Sequence, residues 1–245
     1  MSNVHRTLVL ALGLGLPVVP CVAVADTTQP ETVLLPGDRG ESVERLQRRL
    51  RDGGYFWGHV SGKYDQATSA AVLSFQKTQG IRPHVEVGAA MWRALEHPRR
   101  PRPLLSGGAR DRVEIDLRRQ LLVVYRDRRP VLITHMSSGA GVRFCNSGYC
   151  RTATTPTGDF RVTHRTPGWT SGPLGSMYNS LYFVGGVAMH GSSKVPLRPS
   201  SHGCVRVPMS AADRLYHLVG VGEPVHVRGN PPAPVRAARR YAQRL

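Results

Sequence analysis

The sequence predicts a multidomain α+β chain, a small three-helix domain followed by a mainly β domain, and three observations carry that prediction. Residues 35–98 carry apolar residues at helical spacing. Residues 97–111 are rich in Pro, Arg and Gly and have neither helical nor strand periodicity, which marks a linker. From Val113 onward the pattern changes to alternating and β-rich runs. We therefore place the helical domain at 35–98, the linker at 99–110, the β domain at 111–229 and a basic flexible tail at 230–245.

In chain order, Arg6 precedes the apolar run Leu8–Val19 and the small-residue pattern Ala23-Val24-Ala25, the signature of a secretory signal peptide spanning 1–25. The run is shorter than the ~20 residues of a membrane-spanning helix, so no transmembrane anchor is expected. Pro20 before Cys21 disfavours a lipoprotein anchor. About 220 residues then remain, enough for one sizeable domain and one small one. Val43, Leu46 and Leu50 form one helical face, and Thr68, Ala71, Val72 and Phe75 form a second with Asp65 as its N-cap. Met91, Trp92 and Leu95 mark a third, and three such helices can share one core. In the β domain, Val113–Leu117 alternates, Leu121–Tyr125 is β-rich, and Arg126–Pro130 reads as a hairpin turn into Val131–Met136. Leu181–Met189 reads as one apolar strand delivering His190. Ser210 and Asp213 suggest a capping box opening a helix to Leu218, ended by Gly220, and Pro224–Arg228 a closing strand.

The formal net charge of +17 raises a nucleic-acid hypothesis. It is disfavoured, because the positive residues are scattered or sit in the linker and tail, no nucleic-acid motif is present, and the leader directs the chain outward; anionic wall polymers or membrane surfaces are the expected counter-charges. Of the four cysteines, Cys21 lies in the leader. Cys145 and Cys150 lie in a tight loop of an exported chain, where a disulfide is permitted. A zinc site built on them with histidines competes, but no second ligand pair has the usual spacing, and no metal is expected. Cys204 is then the odd, free thiol.

Residues 189–206 concentrate the chemistry. A thiol needs an imidazole or another positive influence to become a nucleophile, and His190 and His202 are near Cys204 in sequence. Gly203 permits a tight turn and close approach of a substrate carbonyl to main-chain N–H groups. Cys204 as a small buried hydrophobe beside surface histidines is the plain alternative.

His190-Gly191, a short loop, and Ser201-His202-Gly203-Cys204-Val205-Arg206 closely resemble the signature of the L,D-transpeptidases with a YkuD-type catalytic domain. Thr155-Pro156-Thr157-Gly158-Asp159-Phe160 is similar to the strand entrance of the same domain. The resemblance implies that Cys204 is the nucleophile and His190 the general base, oriented by the Gly191 carbonyl. It also implies that Ser201, His202 and Gly203 shape the nucleophile turn, that amides around Gly203 and Cys204 form the oxyanion hole, and that Arg206 binds a substrate carboxylate. The loop between His190 and Ser201 is shorter than in many members, which leaves the substrate-lid geometry open. Gly37-Asp38-Arg39-Gly40, Leu46-Gln47, Gly62-Lys63-Tyr64-Asp65, Phe75-Gln76, Val87-Gly88 and Trp92-Arg93-Ala94-Leu95 resemble the helical peptidoglycan-binding domain.

Together the resemblances imply an exported, monomeric cell-wall enzyme without cofactors that uses peptidoglycan stem peptides as donor and acceptor and is acylated by carbapenems. L,D-carboxypeptidase action, anchoring of proteins to the wall through the same acyl-enzyme, and a non-catalytic wall-binding role are the alternatives.

Overall fold

The computed structural model describes residues 32–146 and 148–232; the expected signal peptide, Cys21 and most of the expected tail lie outside the described residues. Three helices come first: α1 (Glu41–Asp52), α2 (Gln66–Gln79) and α3 (Ala89–Glu96). In α1 the buried residues are Val43, Leu46, Gln47 and Leu50, with Glu41 and Glu44 in the first turn and Arg49 and Arg51 in the last, as the helix dipole favours. Asp65 caps α2 by accepting from the Thr68 amide, and Gly80 ends it in the left-handed region at φ 75°. Gln47 is fully buried and fully satisfied: its Nε2 donates to Lys63 O and Thr68 Oγ1, and its Oε1 accepts from the Ser61 and Gly62 amides.

The helices do not close their core alone. Tyr55, Phe56, Phe75 and Met91 pack in one cluster with Leu121, Val123, Tyr125 and Ile133. These four belong to β2 (Leu121–Arg126) and β3 (Arg129–His135), and α2 lies against β3. Successive strand residues face opposite sides, so Leu122 and Val124 enter the main β core while their neighbours face the helices. That is why 121–125 is apolar throughout instead of alternating.

β1 (Arg112–Asp116), β2 and β3 join a five-stranded sheet of order β3-β2-β1-β11-β6, with β6 at Gly158–Arg161 and β11 at Pro224–Arg228. The β2–β3 turn places Asp127 and Arg128 at φ 48° and 62°, the two positive values of a type I′ hairpin. A second sheet has the order β10-β9-β8-β7, built from β7 (His164–Gly172), β8 (Gly175–Val184), β9 (Val187–Ser192) and β10 (Val205–Pro208). A two-stranded ribbon pairs β4 (Arg143–Asn146) with β5 (Tyr149–Thr152). Helix α4 (Met209–Leu218) packs on the second sheet. The linker is tied down by a buried pair, Arg112 with Glu114: Glu114 accepts from the Leu104 amide and Arg112 donates to Ala109 O.

Two expectations are corrected. Residues 181–189 are not one strand: Gly185, at φ 50°, and Gly186 fold them into the β8–β9 hairpin. No capping box opens α4, whose N-cap is Pro208 without a side-chain cap; Asp213 instead accepts from Tyr178 Oη and Asn179 Nδ2.

Candidate active site

β9 and β10 run parallel, with Met189 opposite Val205 and His190 opposite Arg206. Met189, Val205 and Val207 enter the core. Alternation therefore turns His190 and Arg206 to the other face, where Cys204, two residues before Arg206, joins them along one cleft of about 630 Å³.

His190 is buried, and its Nδ1 lies 2.9 Å from Gly191 O. A carbonyl can only accept, so Nδ1 carries the proton and Nε2 keeps its lone pair. Burial lowers the His190 pKa, the Gly191 carbonyl opposes that, and Arg206 lowers it further. A Cβ on Gly191 would lie 2.7 Å from the Ala212 Cβ of α4, so a side chain there would displace the carbonyl that orients the ring.

Cys204 is a free, half-buried thiol whose Sγ lies 3.8 Å from Gly186 O. Burial pushes its pKa up, against a main-chain hydrogen bond from Ala188 and the charges of Arg206 and Arg151. Burial thus acts on the two groups in opposite senses, raising the thiol and lowering the imidazole.

Hydrogen bonds hold the turn before Cys204 on both sides of His202. Gly203 sits at φ 141°, with Thr154 O only 3.1 Å from where a Cβ would be. Its N–H donates to Ser201 Oγ at 3.0 Å, and Ser201 Oγ donates to Cys204 O at 2.5 Å. Of the amides around Gly203 and Cys204 expected to form an oxyanion hole, that of Gly203 donates to Ser201 Oγ in this structure. Thr155 Oγ1 accepts from the Gly139 amide and donates to Gly203 O at 2.6 Å. The Ser200 and Ser201 amides donate to Ser138 O, and Ser137 exchanges two main-chain hydrogen bonds with Arg206. His202 is exposed and packs on Phe144, with ring centroids 4.7 Å apart.

Behind residues 193–201 lies a buried polar group that the sequence reading missed. Lys77 of α2 donates to Gln120 O at 2.9 Å and to His135 Nδ1 at 2.8 Å. His135 Nε2 in turn donates to Val195 O at 2.7 Å. Gln120 binds Ser138 through both ends of its amide. Burial lowers Lys77 to about 7, and burial together with the Lys77 charge lowers His135. Only Thr155, in the Thr-Pro-Thr-Gly run, had a sequence signal.

Cys145 and Cys150 stand directly opposite in the β4–β5 ribbon and are bonded to each other. Among the described residues, no group of three or more His, Cys, Asp or Glu could hold a metal ion, and no helix is long and apolar enough to cross a membrane.

Residues 110–227 match the L,D-transpeptidase catalytic domain (YkuD), and residues 39–95 match the putative peptidoglycan binding domain. The chain is similar to the crystal structure of an L,D-transpeptidase from Xylanimonas cellulosilytica DSM 15894, at 40% identity over 81% of this chain and 98% of that one, with a TM-score of 0.75. It also resembles an L,D-transpeptidase from Stackebrandtia nassauensis at 24% identity, over 83% of this chain and 98% of that one, with a TM-score of 0.46. No curated protein matches the chain.

Proposed function

This chain belongs to the L,D-transpeptidase family, and from that premise we propose that it is exported and cross-links peptidoglycan through a thioester on Cys204. The observation that carries the reading is the shared cleft of the free Cys204 and a buried His190 whose Nδ1 is committed to Gly191 O. Such a histidine offers Nε2 as a base in a fixed orientation.

In this reading Cys204 Sγ gives its proton to His190 and attacks the carbonyl carbon between the L-centre of the diamino acid at stem position three and the following D-Ala. The C–N bond breaks, the D-Ala amine leaves with the proton from His190, and a thioester remains. The side-chain amine at position three of a second stem attacks the thioester and passes a proton to His190; the C–S bond breaks, and the departing thiolate takes that proton back. With the Gly203 amide committed to Ser201, the Cys204 amide is the turn donor left for the oxyanion. Arg206 meets a substrate carboxylate, and the helical domain holds the enzyme on the wall.

Intact-mass spectrometry with a tetrapeptide donor tests the reading. The parent should gain the tripeptide acyl mass while D-Ala is released from the donor, and Cys204→Ala should gain nothing and stay within about 1 kcal/mol of parent stability. A carbapenem, whose strained carbonyl a thiolate can open, should add one drug mass at Cys204. Turnover by Cys204→Ala near the parent rate, or an adduct on another residue, overturns the assignment.

A further inference from the structure

We propose that Arg151, carried by the disulfide-closed β4–β5 hairpin, is a specificity residue that pairs with a carboxylate of the stem peptide in the same cleft as Arg206. The inference rests on the transpeptidase reading and adds a residue to its substrate site.

The placement follows from the register of the ribbon. Phe144 pairs with Arg151, and the next pair is Cys145 with Cys150. Neighbouring cross-strand pairs face opposite sides, so the disulfide occupies one face and Phe144 with Arg151 the other. That second face is turned to the nucleophile: Phe144 packs on His202, two residues before Cys204, and Arg151 lines the cleft. Arg151 is also near enough for its charge to act on the Cys204 thiol.

The guanidinium lies over the Phe144 ring, 5.3 Å from its centroid. Stacking uses the face of the guanidinium and leaves its edge of N–H donors free, the arrangement that suits a carboxylate. None of the ion pairs found among the described residues involves Arg151. The described lining of the cleft contains Arg151, Lys194 and Arg206 and no Asp or Glu. A cleft lined by one sign of charge concentrates groups of the opposite sign. Around the scissile bond a donor stem offers the terminal D-Ala carboxylate and, where the diamino acid has one, the carboxylate at its far centre.

Steady-state kinetics of Arg151→Gln and Arg151→Lys test this with three donors: one with both carboxylates free, one amidated at D-Ala, and one with lysine at position three. On the first donor Arg151→Gln should raise KM about ten-fold, the loss of one charge-assisted hydrogen bond, with kcat within about two-fold. Arg151→Lys should fall between. The donor on which parent and Arg151→Gln become equal identifies the carboxylate. Titration of the first donor into Cys204→Ala, with and without Arg151→Gln, should weaken Kd by the same factor. Arg151 is exposed, so these variants should keep the parent's unfolding midpoint. Equal KM and Kd for parent and Arg151→Gln on the free donor, or a penalty that survives both caps, overturns the Arg151 assignment while the transpeptidase reading stands. A parent that neither binds nor is acylated by any donor overturns both.

Discussion

Residues 193–206 and the β4–β5 hairpin border the same cleft, yet they are fastened by different means. The first segment is held from behind by buried polar groups: Val195 O by His135, Arg198 O by Ser137, and the Ser200 and Ser201 amides by Ser138. Those groups lead to Lys77 in the helical domain, and Gln66, at the start of α2, reaches Ser193 O. The hairpin is exposed for much of its length and relies on one disulfide and the stack of Arg151 on Phe144 on His202. A wall that carries the nucleophile needs a fixed geometry, and buried hydrogen bonds provide it because breaking any one strands a polar group away from water. A wall that meets variable substrate groups needs only a constrained ribbon. The helical domain is thus a structural partner of the catalytic loop as well as a candidate wall-binding module.

The largest effect expected concerns the thiol and imidazole of the cleft. Cys204 is pushed above its ordinary pKa and His190 below, so thiolate should be scarce at neutral pH. Alkylation by iodoacetamide, which consumes thiolate, should rise about ten-fold per pH unit until the raised thiol pKa is reached. Stem-peptide turnover should behave otherwise. Its working form is neutral thiol beside neutral imidazole, which persists between the lowered His190 pKa and the raised Cys204 pKa, so kcat/KM should stay level across that interval. Thiolate absorbance at neutral pH, parent minus Cys204→Ala, would instead identify a resting thiolate–imidazolium pair and break the first half of the comparison.

Next in size is the anchor itself. His135→Leu removes the donor to Val195 O and leaves Lys77 without one buried acceptor, a loss of about 2–4 kcal/mol by denaturant unfolding, with kcat/KM falling as the loop loosens. His135→Gln, which can donate to Val195 O and accept from Lys77, should recover most of both. The histidine also carries a pH signature. Its folded pKa is about 3 against 6.5 unfolded, so below pH 6.5 the unfolded chain binds a proton that the folded one refuses. Stability should fall as pH drops from 6.5 toward 3, by up to about 1.4 kcal/mol per unit, and His135→Gln should lack that share. Identical acid profiles for parent and His135→Gln would detach His135 from the fixed wall.

What could be read from the sequence follows the range of the interactions involved. Helices α1 and α2 were legible because their apolar spacing and the Asp65 cap are local. The unbroken apolar run 121–125 marked a strand, and it also held the less obvious message that both its faces are covered. The pairing of His190 with Cys204 was legible through a motif whose parts lie on neighbouring strands. Strand β7, His-Arg-Thr-Pro-Gly-Trp-Thr-Ser-Gly, lies at the end of its sheet, holds a proline and is mostly polar, so it has no periodic signal. The Gly185-Gly186 turn was hidden inside an apolar stretch. Lys77 and His135 are 58 residues apart and meet only when α2 docks on β3. The commitment of the Gly203 amide to Ser201 depends on the φ of one glycine, which no pattern of residue types encodes.

The smallest effect belongs to the clip on the adaptable wall. Replacing Cys145 and Cys150 by serine opens a bridge with a sequence separation of 5. So short a loop returns little entropy to the unfolded chain, about 2 kcal/mol at most. Much of that need not appear in global unfolding, because the ribbon is a separate two-stranded sheet that meets the nucleophile turn through the Phe144–His202 contact. The midpoint should move less than for His135→Leu. The hairpin should instead loosen locally, with faster amide exchange over 143–152 and unchanged exchange over 135–140. If Arg151 is held in the cleft by this ribbon, the double serine variant should raise donor KM in the same direction as Arg151→Gln, by a smaller factor and with kcat nearly intact. Faster exchange reaching 135–140 or 200–206, or a fall in kcat matching that of His135→Leu, would mean that the two walls are one mechanical unit and that the distinction between them fails.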